Sequence, residues 1–411
     1  MSIYLQLFII LPIAGFFLSL MIPRKKENVI ATLAIATISL QLLGLLVFVA
    51  AWLFNGADVL DVRHATLYKT TNFEIFINFF FDKTTAVFAV VGALLCASVA
   101  VFSRFYLHRE EGFKRFFNNI LLFFTGYNIV IFSGNFETLF IGWEFLGISS
   151  FLLISFYRDR YLPVKNAMKV ISLYRMSDVC LLLAMWLSHH FWHENISFVK
   201  MADPVFLTDK LTLHPGMGAL IAVAFLIAAA AKSAQFPFSS WLPRAMEGPT
   251  SSSAIFYGSL SVHIGVFLLL RTFPFWENMT GIRIAIGIVG ITTSIIAAYI
   301  TRVQSTVKTQ IAYASVVQIG LIFVEIALGL HLLALVHFSA NAFLRTWQLL
   351  VSPSVLSYLV HNQFYHFDPS APKKVNTGFR KISNSLYILS VKEWNLDAML
   401  FRYLWSPFKE I

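Results

Sequence analysis

Residues 220–243 read LIAVAFLIAAAAKSAQFPFSSWLP. An apolar run long enough to enter a membrane meets Lys232, and Pro237 and Pro243 follow within a dozen residues. Small residues, then Ser-Ala-Gln and proline, predict a membrane helix interrupted inside the bilayer. Such a break frees backbone carbonyls that can hold water or a cation beside the lysine. A lysine stretching to the membrane surface is the other reading, and the prolines beyond it argue against that.

The rest of the chain agrees with a membrane setting. Of 411 residues, 58% are hydrophobic and 13% charged, and mean hydropathy is +0.72. Soluble domains carry about 25% charged residues, so a water-soluble globule is excluded. The formal charge of +10 predicts basic cytoplasmic loops here, not a nucleic-acid partner. Cys96 and Cys180 sit in separate apolar runs, which leaves a disulfide framework, a CxxC pair or an iron–sulfur site unsupported. Nucleotide-cradling and HExxH patterns are missing too, so no cofactor or metal is expected in this chain.

A span needs about 20 mostly apolar residues. Runs of that kind give about eleven, near 3–22, 30–54, 84–103, 117–134, 137–156, 167–188, 217–236, 251–271, 282–300, 310–329 and 332–351. The interrupted helix is the seventh. The first run lacks a basic leader or a small-residue cleavage pattern and reads as a span, not a removed signal. Arg24, Lys25, Lys26, Arg104, Arg109, Lys114, Arg115, Arg158, Arg160, Lys165, Arg244 and Arg302 all follow odd-numbered spans. The positive-inside rule therefore places the N-terminus outside and the C-terminal tail, with Lys373, Lys374, Arg380 and Lys381, in the cytoplasm. This divides the chain into two spans (1–54), an outer loop (55–82) whose end NFEIFINFFF suggests a strand pair, a core (83–352) and a tail (353–411). The tail segment 384–408 is too interrupted to span. It reads as an amphipathic helix on the membrane surface or one that docks a partner.

An ionised group at the bilayer centre costs about 2.5–3.5 kcal/mol on insertion scales, so charges inside spans mark function. Glu144, Asp178, Lys232, Lys308, Glu325 and Arg345 all lie in or beside apolar runs. Glu144 and Lys232 are expected to pair and exchange a proton. Asp178 shares a helix face with Tyr174 and Arg175 and is either part of a path or a self-neutralising ion pair. In span 8, Thr250, Ser253, Tyr257 and Ser261 form a polar stripe. His263 points to another face, as a proton relay or as a hydrogen-bonded histidine. His337, Asn341, Arg345 and Gln348 make one polar line in span 11, and Gln318 and Glu325 share a face in span 10. Such lines suit a hydrated proton path better than interhelical hydrogen-bond glue, which does not need Arg and Glu.

WEFLGISSFLLISFY (143–157), KVISLYRMSDV (169–179), AKSAQFPFSSWLPRAMEGPTSSSA (231–254) and VKTQIAYASVVQIGLIF (307–323) resemble the proton-translocating antiporter-type subunits of respiratory complex I and of Mrp antiporters. The resemblance runs from about residue 75 to 350. It implies an all-α polytopic membrane protein with a truncated antiporter-like fold, in which Glu144 is the paired acid and Lys232 its lysine. Asp178 would match an acid near the subunit boundary, Lys308 the tenth-helix lysine and Arg345 the usual eleventh-helix lysine. The sequence departs from that pattern at Tyr257, Thr306 and Asn341, and it stops short of the twelfth helix that carries the family's outlet residue. A self-sufficient antiporter is therefore not expected.

ANAFLRTWQLLVSPS (340–354) and SLYILSVKEWNLDAMLF (385–401) most resemble the DabB family, membrane subunits of two-component inorganic-carbon accumulation complexes. That likeness implies a proton- or sodium-conducting subunit in a bacterial inner membrane. It would energise carbon dioxide or bicarbonate uptake by a large peripheral cytoplasmic DabA-type partner, with zinc in the partner and none here. The alternative is a proton-pumping subunit of a complex I-like or Mrp-type assembly. A third reading is a passive anchor that only docks a soluble enzyme.

Overall fold

In lipid every backbone N–H and C=O must be satisfied within its own segment, and apolar runs therefore become helices. The computed structural model describes residues 2–69, 74–365 and 377–409. Its helices are α1 (Leu7–Met21), α2 (Glu27–Phe54), α3 (Lys83–Tyr106), α4 (Phe113–Ile131), α5 (Phe136–Ile154) and α6 (Tyr161–Trp192), followed by α7 (Pro215–Lys232), α8 (Thr250–Trp276), α9 (Thr280–Thr301), α10 (Val307–Ala327) and α11 (His331–Tyr365). A tail helix, α12 (Thr377–Val391), comes last.

Eleven helices thus stand where eleven spans are expected. Nine of them are long and apolar enough to cross a membrane among the described residues. The other two, α4 and α11, carry more polar side chains; α4 can do so because neighbours surround it, whereas α11 turns its polar row inward and leaves Leu332, Val336 and Trp347 exposed. In α4 every residue from 123 to 131 is buried. Its Asn128 side chain accepts a 2.8 Å hydrogen bond from Gln41 of α2, whose amide also reaches the Phe8 carbonyl of α1 at 2.9 Å. By contrast α9 turns Ile284, Ile288, Ile291 and Ile295 outward, a stripe at helical spacing suited to lipid. Helix α11 continues to Tyr365, where the sequence predicts an exit from the membrane near residue 353.

The basic loops converge on one end of the bundle. Lys114 donates to the carbonyls of Leu20 (2.9 Å) and Ile22 (2.6 Å), His108 meets Glu27 at 3.1 Å, and Arg115 donates to the Phe156 carbonyl at 3.0 Å. Lys373 and Lys374 lie outside the described residues. At the opposite end, β1 (Leu60–Lys69) and β2 (Glu74–Phe81) pair antiparallel from Leu60↔Phe81 to Lys69↔Glu74, with register shifts between Arg63 and Ala65 and between Thr66 and Tyr68. Its apolar end seats Phe81 against Phe48, Trp52 and Phe132.

One buried ion pair ties the hairpin end together. Asp82 caps α3 by accepting from the Thr85 N–H, and it also takes two hydrogen bonds from Arg271 near the end of α8, at 2.8 and 3.2 Å. Burial pushes the Asp82 carboxyl up, but the charge and hydrogen bonds of Arg271 outweigh it and hold the group below the ordinary range. The stabilisation is therefore complete at neutral pH and fades only as pH falls below about 4. Replacing Arg271 by methionine strands the carboxylate. The expected cost is about 3–5 kcal/mol, read as a lowered melting temperature in detergent at neutral pH, with the difference from wild type narrowing as pH falls below about 4 and Asp82 takes up a proton.

Two helices are broken. Helix α7 stops at Lys232, Ala234 takes a positive φ of 52°, and the Phe236–Pro237 peptide bond is cis. The backbone groups released there are satisfied by side chains. Trp241 donates to the Ala231 carbonyl at 2.9 Å and Thr293 accepts from the Phe236 N–H at 2.9 Å, while Ser233 reaches across to α8 and donates to the Val262 carbonyl at 2.6 Å. The chain then turns through Trp241–Arg244 and Ala245–Glu247 before α8 begins.

The second break corrects the reading of α8 as one regular stripe. A π-turn (Ala254–Ser259) and a 3-10 turn (Ser261–His263) interrupt it. Its cause is local: the Ser259 hydroxyl donates back to Ala254 and Ile255 carbonyls, and Leu260 N–H skips to Ile255, widening the turn.

Candidate functional site

The two breaks and the three helices beside them bring the charged groups to mid-depth. Arg175 is the hub. Its guanidinium grips Glu144 of α5 with two bonds of 2.8 and 3.1 Å, and its Nε lies 3.1 Å from Asp178 one turn along α6. This fork geometry suits a carboxylate far better than a lysine would. Glu144 therefore pairs with Arg175, where the sequence predicts Lys232.

Lys232 is fully buried nearby. Its Nζ donates to the Trp143 carbonyl at 3.4 Å and lies over the rings of Tyr174 (4.3 Å) and Trp143 (4.9 Å). No carboxylate pairs directly with it among the described residues. Aromatic faces and a carbonyl thus hold the ammonium without locking it in a salt bridge. Gly147 leaves the gap in which this meeting occurs. A Cβ there would touch Arg175 Nη2 at 3.7 Å, Lys232 Nζ at 3.8 Å and the Tyr174 ring at 3.8 Å. Two carboxylates and two cations share the cluster, a charge balance that makes its burial tolerable. The Asp178 side chain is 5% exposed and Arg175 47%, so the cluster opens sideways onto the outer flank of α6.

From Lys232 the polar groups continue across the bundle. The Tyr174 hydroxyl lies near those of Ser150 and Ser261, yet none of the three closes a direct hydrogen bond among the described residues. Buried side-chain oxygens of Gln235, Ser239 and Ser251 around the break are likewise unpartnered. Buried polar atoms in such clusters are what internal water bridges. Tyr257 donates to the Ser150 carbonyl at 3.3 Å. Two residues beyond Ser261, His263 bonds through Nδ1 with the Ser259 carbonyl, and its Nε2 lies 3.1 Å from the Asn341 amide.

Helix α11 then carries the line along its length. Arg345 donates to Asn341 (3.2 Å), Gln348 (2.7 Å) and the Ala314 carbonyl (3.3 Å). About two turns from Arg345 toward the hairpin end, His337 sits between Glu325 at 2.7 Å and Gln318 at 2.8 Å. The ring thus bridges two side chains of α10 through its two nitrogens. From His337 to Gln348 the row covers about 16 Å of helix.

The predicted residues therefore lie in two groups, Glu144, Asp178 and Lys232 around Arg175 and His263, Arg345, His337 and Glu325 along α11, with Tyr257 between them and Lys308 apart. Lys308 donates to the Gly248 carbonyl at 3.3 Å, at the basic end where α8 begins. Sequence reasoning placed Arg175 on the face of Asp178 but not at the centre of the cluster. Its position three residues before Asp178 and inside an apolar run was the available signal. Trp143 and Tyr174 were missed as holders of the ammonium, and a lone aromatic in a membrane helix gives no such signal. A candidate metal cluster is absent among the described residues.

Comparison with known proteins places this arrangement. Residues 133–365 match the family model described as NADH:quinone oxidoreductase/Mrp antiporter, TM, and residues 68–117 match NADH-Ubiquinone oxidoreductase (complex I), chain 5 N-terminus. Among curated proteins, NADH-ubiquinone oxidoreductase chain 5 of Petromyzon marinus is 34% identical over 292 residues, covering 71% of this chain and 47% of that protein. The Papio hamadryas protein of the same name is 32% identical over 295 residues, with 72% and 47% covered. The chain spans about half the length of these relatives. Two solved structures share the fold. A chain of the Mrp complex from Dietzia sp. DQ12-45-1b has a TM-score of 0.74 at 21% identity, covering 95% of this chain and 42% of that one. A chain of the membrane-bound sulfane sulfur reductase, an archaeal respiratory membrane complex, has 0.70 at 19%, covering 85% and 56%. With more than half of its length inside the first family model, and with the broken helices and intramembrane charges in place, the chain belongs to the transmembrane family of NADH:quinone oxidoreductase and Mrp antiporter subunits.

Proposed function

We propose that this chain translocates protons as one membrane subunit of a larger assembly of the complex I or Mrp type. The observation that carries this reading is the succession of polar groups from Glu144 through Arg175, Lys232 and Tyr174, then across a stretch of unpartnered hydroxyls to Ser261 and His263, and on to Asn341 and Arg345, with His337 and Glu325 beyond. Its members alternate fixed charges, such as Arg175 and Arg345, with groups that can gain and lose a proton, such as Lys232 and the histidines. One elementary charge moving down 100 mV releases about 2.3 kcal/mol, enough to shift the protonation of a buried pair. The half-exposed Arg175 supports a protein neighbour: a guanidinium at mid-depth is costly against lipid, and a second membrane subunit packed on the flank of α5 and α6 would cover it. Sodium could share the same acids, and the unpartnered oxygens near the break would suit either ion.

The test is to purify the chain with its native partners, reconstitute it in liposomes and impose a potassium diffusion potential. Acidification of the lumen, followed with an internal pH dye, is expected. Lumens that stay at constant pH while control ionophores work would refute the proposal.

The segments 340–354 and 385–401 favour a second reading, conduction that energises inorganic-carbon uptake by a DabA-type zinc partner at the cytoplasmic face of a bacterial inner membrane. Co-purification separates the two. A single large zinc protein would support carbon uptake, whereas a quinone-reductase or multi-antiporter assembly would support the first reading.

A further inference from the structure

The tail after α12 returns to the bundle and seats two leucines, Leu396 and Leu400, in buried positions. It also brings two carboxylates to the basic end. Glu393 accepts from Arg244 at 2.7 Å. Asp397 accepts from Arg244 at 2.9 Å and from Lys169 at 2.5 Å. Those two cations belong to different parts of the site. Lys169 is on α6, six residues before the hub Arg175, and Arg244 ends the short turn that follows the break in α7.

Arg244 links the tail to the break directly. It donates to the Ser240 carbonyl at 2.6 Å. The next residue, Trp241, donates to the Ala231 carbonyl, beside Lys232, and packs edge-on against Tyr174 with ring centroids 5.0 Å apart. Tyr174 is the ring under the Lys232 ammonium. Contacts therefore run without a gap from Asp397 through Arg244, Ser240 and Trp241 to the buried lysine.

We propose that Asp397 and Glu393 are positioning residues which clamp α6 to the broken helix α7 and so fix the spacing between Arg175 and Lys232. This rests on the proton reading for its functional consequence, and on geometry alone for the clamp. A shared carboxylate between two cations on two helices resists their separation. A displacement of about 1 Å at the far end is enough to lower a transfer rate by as much as about 100-fold. The clamp also gives the tail a role in cis, on the same end where a peripheral partner would sit.

The experiment uses the full chain with its native partners and compares wild type, the double variant Asp397→Asn with Glu393→Gln, and the conservative Asp397→Glu. Hydrogen–deuterium exchange of residues 233–247 is read first, because it does not depend on what the chain transports. The double variant is expected to exchange several-fold faster there, and Asp397→Glu to restore slow exchange. Unchanged exchange in the double variant overturns the clamp. Liposome flux is read second, over a range of pH. The double variant is expected to run about tenfold slower with a displaced pH midpoint, and Asp397→Glu to recover both. Flux and pH profile unchanged in the double variant, in a wild type that transports, also overturn it. A wild type that carries no protons refutes the proton reading instead, and exchange then decides the clamp alone.

Discussion

Replacing Lys232 by methionine is expected to lower proton flux by about 100-fold or more, the range associated with losing a positioned acid–base group, while the chain still inserts, assembles and melts near the wild-type temperature. Methionine keeps most of the volume, so the buried site does not collapse. The substitution breaks no direct ion pair, because Glu144 and Asp178 already lie against Arg175 and the lysine's own contacts are a carbonyl and two aromatic faces; it leaves two carboxylates sharing one cation, so a fall in melting temperature much smaller than that of Arg175→Met accompanies the loss of flux. The Trp143 and Tyr174 rings accept a thioether readily. A passive anchor would show no change at all. Arg175→Met should behave differently, since it leaves two carboxylates without their cation, and both assembly and flux should suffer.

The second large effect is expected at Gly265. There α8 crosses α7 so closely that a Cβ would fall inside the contact radius of the Ala229 carbonyl oxygen and the Ser233 hydroxyl. A backbone carbonyl cannot turn aside, so Gly265→Ala must push the helices apart beside the break. Overpacking of this kind costs about 1–3 kcal/mol, and larger side chains cost more. Ser233 would lose its 2.6 Å bond to Val262, and Lys232, one residue away, would shift. Melting temperature and flux should therefore fall together for Gly265→Ala, whereas Lys232→Met moves flux far more than melting temperature. That contrast separates a scaffold residue from a path residue.

The architecture was largely legible in the sequence because lipid allows few solutions. Hydropathy gave the helices their places, and Lys232 followed by Pro237 announced the break in α7. The break in α8 was not legible. Its cause is serine hydroxyls bonding back to their own helix, and serines at 251–253, 259 and 261 look the same whether they line a regular stripe or a π-turn. Within the site, the line from His337 to Gln348 could be read from spacings of four, four and three. The partner of Glu144 could not, since spacing says which face a charge occupies but not which of two cations reaches it first. Arg175 wins through its longer, forked side chain. The tail was hardest to place. Glu393 and Asp397 lie some 150 residues from Arg244 in the chain and more than 200 from Lys169, and an amphipathic segment carries no signal for the surface it covers.

Proton passage through this bundle requires the polar groups between Lys232 and His263 to be joined by water and to form a single route with the α11 row. A cryo-EM map of the native complex, fine enough to show ordered water, tests it most directly. The prediction is water density linking the hydroxyls of Tyr174, Ser150 and Ser261 and continuing to the unpartnered oxygens of Gln235 and Ser239. A dry gap there, closed by packed apolar side chains, would contradict it.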